Sequence, residues 1–262
     1  MVRGWMAAAL VASVTAGAPG AAWAQAEQQA LVDRSTLAAQ EMLNDRDGTD
    51  AQKVLRQARA VVICPRVLRA GFLLGGQGGN CVLVARDGGG SWSAPAFYGM
   101  GGGSIGFQAG LQDAEVMLFI MSDRGLRAVM DSQFKLGADA TATFADVGGG
   151  VEGATTAALR ADIVGFTRSR GLYAGISLGG SLLGVKSEWN AAYYGRPLAP
   201  QQIVVGMEGT NPAADPLRQV LIRYGGAEKP AAPPALPPPM PLNTVPQRSA
   251  PIQQQPLPPR RY

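Results

Sequence analysis

The sequence predicts an α+β fold: a strand-rich, largely antiparallel, partly closed sheet with N-terminal and C-terminal covering helices. Three observations carry this. Apolar residues recur at helical spacing from about Ala26 to Leu43 and again at Leu217, Val220, Leu221 and Tyr224. Between those stretches the period drops to two. Within that region two segments, "SIGFQAGLQ" at 104–112 and "GLYAGISLG" at 171–179, alternate apolar residues with small ones.

The first helix carries Ala30, Leu31, Leu37, Ala38 and Met42 on an irregular apolar stripe, with Glu27, Asp33, Arg34 and Glu41 at polar positions. "NDRDG" breaks it. Thr49 with Gln52 three residues on has the spacing of a capping box, opening a second helix through Val54, Leu55 and Ala58 to about Arg59. "AVVIC" then reads as a short buried strand stopped by Pro65. "GFLLGGQGGNCVLVAR" reads as two strands around a glycine-rich turn, "SWSAPAFYG" as another strand, and "AEVMLFIM" as a central one. Ser122 suits the N-cap of a short helix through Leu126, Val129 and Met130. Strands resume near 138–146, 160–168, 171–178 and 181–186. Asp215 and Pro216 fit N-cap and N1 of a last helix, with Gly225 its C′ stop.

Residues 171–179 admit a second reading as a helix with a small-xxx-small face. Fifteen residues separate Arg170 from Lys186, too few to span hydrocarbon. Each mid-helix glycine costs about 0.8–1.0 kcal/mol relative to alanine, and five fall between 171 and 184. The strand reading is therefore preferred. It leaves Gly171, Tyr173, Gly175 and Gly179 on one nearly bare face, over which either a covering layer or an elongated apolar ligand lies.

The ends differ from the middle. Arg3, the apolar run Trp5–Val14 and Ala22-Trp23-Ala24 have the layout of a secretory signal peptide over 1–24, so the chain is expected to be exported and periplasmic or secreted after cleavage near Ala24. Residues 228–262 hold 12 of the 19 prolines and are expected to be a disordered or polyproline II tail. What remains, 25–227, reads as one domain. There 18 Lys plus Arg balance 18 Asp plus Glu. The net charge of +4 comes from Arg3, Lys229, Arg248, Arg260 and Arg261 against Glu228. A basic balance confined to the ends gives no reason to expect nucleic acid.

The chain contains no histidine, which removes imidazole bases, Ser-His and Cys-His nucleophiles and His-ligated metals. Two cysteines, Cys64 and Cys81, either form a disulfide, as an oxidising compartment allows, or stay as two buried thiols. They make a poor metal site. Gly101, Gly103 and Gly106 match G-x-G-x-x-G, but "FQAGLQD" after them alternates as a strand, where a dinucleotide site needs a helix. "GSLLGVKS" fails as a P-loop because Val185 separates Gly184 from Lys186. Asp113 and Glu115, Asp123 and Asp131, or Asp139 and Asp146 have no spacing that selects them as acid/base pairs. "PLPPRR" near the C-terminus fits a P-x-x-P-x-R peptide or a stiff basic spacer.

Several glycine-anchored blocks, "VVICPRVLRAGFLLGGQGGNCVLVARDGGGSWSAPAFYGMGGGSIGFQAG", "KLGADAT", "SRGLYAGISLGG" and "NAAYYG", resemble the SYLF domain, also called the Ysc-type actin-binding domain, over about Val61–Val205. Secreted bacterial members with one such domain are the most similar. The resemblance implies binding of anionic phospholipids and phosphoinositides through the domain and a preceding amphipathic helix, and, in eukaryotic members joined to SH3 domains, of actin. This chain departs in having no SH3 segment, a leader for export and a charge-balanced first helix. The resulting expectation is a non-enzymatic lipid-binding protein of the cell envelope, with no cofactor and no metal. Its helix 26–43 would lie at the membrane interface, and Arg66, Arg69, Arg168, Arg170 and Lys186 would touch phosphate groups or be ordinary strand-end charges. The alternative is a protein-interaction or envelope-structural module whose Pro-rich tail reaches a partner.

Overall fold

The computed structural model describes residues 19–44, 48–131, 133–146, 161–170 and 180–226. Residues 19–24, 44, 72–74, 104–111, 146 and 170 are described by their backbone alone. Most of the leader, the strand at 171–178 and the proline-rich tail therefore lie outside the described residues, all of which fall within one compact unit, Met1–Lys229. The helices are α1 (Pro19–Asn44), α2 (Thr49–Gln57), α3 (Asp123–Met130), α4 (Ser187–Tyr194), α5 (Pro200–Val204) and α6 (Asp215–Gly225). The strands are β1 (Ala60–Ala85), β2 (Ala96–Ile120), β3 (Gln133–Lys135), β4 (Ala142–Asp146), β5 (Ile163–Arg170) and β6 (Leu182–Val185).

The sheet is built on one long hairpin. β1 pairs antiparallel with β2 from Ala60 opposite Ile120 to Leu83 opposite Ala96. On the other side of β2, β5 pairs with Asp113–Ile120 and β6 with Tyr98–Gly101, both antiparallel. β4 runs parallel to β5, and β3 antiparallel to β6. Arg170 opposes Asp113 and Leu182 opposes Gly101, so eleven residues separate the two pairings on each side and both share one register.

Two expectations need correction here. Pro65 does not stop the first strand. The register slips between Cys64 and Val67, leaving Pro65 and Arg66 opposite Glu115 alone. A bulge is a position where the missing proline N–H costs no ladder bond. Nor does the run Gly75–Gly79 form a turn. It continues as strand opposite Met100–Ser104, with Gly76 facing Gly103 and Gly78 facing Gly101. With glycine at most of these positions the ribbon is free to coil. The real turn lies at Asp87–Ser91, where Asp87 Oδ1 accepts from the N–H groups of Gly89 and Ser91 at 2.9 and 2.7 Å and Gly90 adopts φ 86°.

The coil closes on itself. An extended strand rises about 3.3 Å per residue, so 17 residues would separate their ends by about 55 Å. The Cα atoms of Cys64 and Cys81 lie 4.2 Å apart and their sulfurs are bonded. The alternative of two free thiols is thereby settled in favour of the disulfide.

Alternation along the strands gives each face its own core. Val62, Cys64, Val67, Cys81, Tyr98, Val116 and Leu118 turn to one side, against Val129 of α3, Phe134 of β3 and Ile203 and Val204 of α5. Val61, Ile63, Val82, Phe97, Met117, Phe119 and Phe166 turn to the other, against α1, α2, α6 and Tyr193 of α4.

α1 takes the covering position expected of an N-terminal helix. Gln28, Leu31, Val32, Ser35, Thr36, Ala38, Ala39, Met42 and Leu43 are all buried, while Leu37 is 58% exposed. Its inner side meets both the sheet and the C-terminal helices, so polar Gln28 and Ser35 are enclosed along with the apolar residues. The helix buries most of its described apolar residues against its own protein and leaves Leu37 facing solvent. The capping box at Thr49 also fails: Thr49 is already helical, Gly48 is the N-cap, and Gln52 Nε2 donates to the Leu43 carbonyl at the end of α1. α4 and α5 were not anticipated as helices. Ser122 does cap α3, accepting from Gly125 N–H at 3.0 Å.

Candidate functional site

The five cations singled out by the sequence do not form one cluster. Strand alternation puts Arg66 and Leu68 of β1, Asp113 and Glu115 of β2, and Arg168 of β5 on the face that α1 covers. Arg69 falls on the opposite face with Val67. Arg170 pairs with Asp113 by backbone register, and its side chain lies outside the described residues. Lys186 follows β6 and stands apart: its Nζ sits 3.7 Å over the Trp189 ring. Burial lowers its pKa from the ordinary lysine value, with Glu27 partly offsetting that. Gly171, Tyr173, Gly175 and Gly179 lie outside the described residues, so the bare glycine wall is not part of the site described here.

Arg66 and Arg168 both lie beside α1, Arg66 in a groove against it and Arg168 through Glu41. A groove of about 300 Å3 runs between α1 and the Pro65–Arg66 bulge. Arg34, Leu37, Ala38 and Glu41 form its helical wall. Pro65, Arg66, Asp113 and Glu115 form its sheet wall. Arg66 Nε donates to Asp113 Oδ2 at 2.8 Å, and Arg168 reaches Glu41 Oε2 at 3.5 Å. Glu115 faces Arg168 across the β2–β5 pairing and is 5% exposed. The Arg66 and Arg168 guanidinium groups are partly solvated, and exposed pairs of this kind are worth at most about 1 kcal/mol. A ligand that offers equivalent charges can exchange with them.

Two large apolar residues face water on this side: Leu37 of α1, which lines the groove, and, at 38% exposure, Leu68, two residues beyond Arg66 on the same face of β1. Sequence reading missed both, together with the site roles of Arg34, Glu41, Asp113 and Glu115. One signal was available. Asp113 and Glu115, two apart on a strand, must share a face, and that face is the one Arg66 uses.

Among the described residues no helix is long and apolar enough to cross a membrane. The chain is thus a coiled sheet with helices against both faces and a mixed-charge surface groove. The family model described as Ysc84, "Las17-binding protein actin regulator", matches residues 101–224. Protein YSC84 of Saccharomyces cerevisiae is 32% identical over 171 residues, 64% of this chain and 36% of that protein. SH3 domain-containing YSC84-like protein 1 of Homo sapiens is 29% identical over 230 residues, 80% of this chain and 67% of the relative. Its Bos taurus counterpart is 32% identical over 184 residues, 68% and 53%. The chain thus spans between about one third and two thirds of these relatives' lengths. No solved structure matches it. The chain belongs to the Ysc84, or SYLF, family.

Proposed function

We propose that this chain is a non-enzymatic module that binds a phospholipid interface through the groove between α1 and β1. The observation that carries this reading is the pair of exposed leucines, Leu37 and Leu68, beside Arg34 and Arg66. Apolar side chains that enter the acyl boundary next to guanidinium groups that hold phosphate are the elements of peripheral membrane binding. The mode differs from the sequence expectation: two leucines at and beside the groove replace a whole amphipathic helix. The basis for an anionic lipid also weakens, because Arg34, Arg66 and Arg168 are matched by Glu41, Asp113 and Glu115.

We also read the chain as exported. The Cys64–Cys81 disulfide suits an oxidising compartment. Cleavage after Ala24 would trim α1 but keep every buried position from Gln28 onward.

Co-sedimentation of the full chain with phosphatidylcholine vesicles tests the lipid reading. Wild type pellets, and Leu37→Asp with Leu68→Asp reduces the partition by about tenfold or more, since even half of one leucine's apolar transfer per site, about 0.7 kcal/mol or more, sums to that over two sites. Wild-type protein that stays in the supernatant with every vesicle sinks the reading. A second reading rests on the relatives' names: a module that holds a protein partner, with residues 228–262 reaching for it. Deleting 228–262 would then abolish partner capture and leave vesicle binding unchanged.

A further inference from the structure

We propose that the groove selects a zwitterionic head group carrying a primary ammonium, phosphoethanolamine, over anionic or choline head groups; this rests on the lipid-interface reading above. The argument is one of charge order. Two guanidinium groups (Arg34, Arg66) and three carboxylates (Glu41, Asp113, Glu115) line one groove of about 300 Å3, and Arg168 reaches Glu41 from beside it. An anionic head group could place its phosphate on Arg34 and Arg66, but Asp113, paired with Arg66 at 2.8 Å, and the buried Glu115 would then face it with like charge. A head group with its own cation removes that conflict. Its phosphate takes Arg66 and Arg34, and its ammonium takes Asp113, the carboxylate that Arg66 releases. The Arg66–Asp113 pair is replaced by ligand pairs of the same sign order, so neither of its charges is stranded.

Choline also carries a positive charge, but a quaternary ammonium has no N–H. A primary ammonium has three donors and can hydrogen-bond the carboxylates at the head of the groove. The glycerol head group of an anionic lipid has hydroxyl donors but no positive charge. The groove therefore ranks head groups by the presence of N–H on a cation, which neither net charge nor apolar insertion does.

The test uses the full chain and three sets of vesicles: phosphatidylcholine alone, the same with phosphatidylethanolamine, and the same with phosphatidylglycerol. Phosphatidylethanolamine is expected to tighten binding over phosphatidylcholine by about threefold or more, the worth of one added exposed ion pair, and phosphatidylglycerol to do less. Asp113→Asn brings the ethanolamine-to-choline ratio close to one. Soluble glycerophosphoethanolamine, free of any effect on bilayer packing, competes for wild type, whereas glycerophosphocholine does not. Equal binding to ethanolamine and choline vesicles, or a gain that Asp113→Asn leaves intact, overturns the inference while the lipid-interface reading stands. Failure to pellet with any vesicle overturns both.

Discussion

Gly79 lies directly against the backbone of Arg66: a Cβ on Gly79 would sit 2.3 Å from the Arg66 carbonyl oxygen and 3.3 Å from Val67 Cα. Thirteen residues along one strand, the chain meets its own beginning, and the glycine is what lets it do so. The obstruction is backbone, which cannot rotate away. Gly79→Ala is therefore expected to destabilise the fold by about 2–3 kcal/mol through forced backbone shifts. Gly78, whose Cβ would find Met100 O at an ordinary 3.5 Å, is the control. Urea unfolding of the two variants should separate them clearly. Equal midpoints would mean that the coil closes more loosely than this contact requires.

The same closure is held covalently two residues further out, by Cys64 and Cys81, both fully buried. Opening a loop of this length releases about 3 kcal/mol of constraint on the unfolded chain. Cys64→Ala with Cys81→Ala, packed with the same small apolar surface, is expected to lower stability by about that amount, read from the denaturation midpoint. Reduced wild type should match the double variant.

How far the sequence carried the fold follows from what is local. Ser122 caps α3 and the run Leu217–Leu221 forms α6 because caps and helical stripes are decided within a few residues. Pro65 and the glycines at 75–79 misled because their usual local meanings, stop and turn, yield here to pairing with β2 over its whole length. α4 was hidden because "SEWNAAYY" lacks a simple stripe. Its Asn190 is buried and accepts from Phe97 N–H at 2.8 Å, a tertiary use that makes a polar residue part of the inner face. At the site, Arg66 and Arg168 could be picked as strand-end cations, but Arg168 meets Glu41 from 127 residues away. That partner follows from where α1 docks, and docking is not written in either segment alone.

Asp162 joins three elements at their starts. It is 6% exposed and accepts from Ser122 Oγ at 2.6 Å, from Thr141 Oγ1 at 2.8 Å and N–H at 3.1 Å, and from Arg124. The Arg124 guanidinium and then the Ser122 hydroxyl hold its carboxyl well below the usual carboxylate range, against the opposing effect of burial. A depressed value means that the folded state resists protonation. The stabilisation is complete above the unfolded value near 3.9 and is lost as pH falls through the lower folded value. Wild type should lose stability below about pH 4 more steeply than Asp162→Asn, and at neutral pH that variant should be weaker by about 2–3 kcal/mol. Circular dichroism across an acid titration checks both. Parallel curves for the two proteins would show that other carboxylates govern acid unfolding.

Arg86 closes two helices at once. Its guanidinium donates to Leu55 O at 3.2 Å and Arg56 O at 3.0 Å near the end of α2, and to Gly225 O at 3.1 Å at the end of α6. It lies 4.7 Å over the buried Trp92 ring. The last carbonyls of a helix lack the i+4 N–H and carry the negative end of the helix dipole, so a cation there meets both needs. Gly225 is small for the same reason, since a Cβ would come within 2.7 Å of the guanidinium. A lysine cannot reproduce a planar fork with donors in two directions. Arg86→Lys is thus expected to cost nearly as much as Arg86→Met, about 2 kcal/mol or more, with faster amide exchange in the last turns of α2 and α6 and little change in α3. Recovery of full stability by the lysine variant would show that charge alone suffices and that the forked geometry contributes nothing.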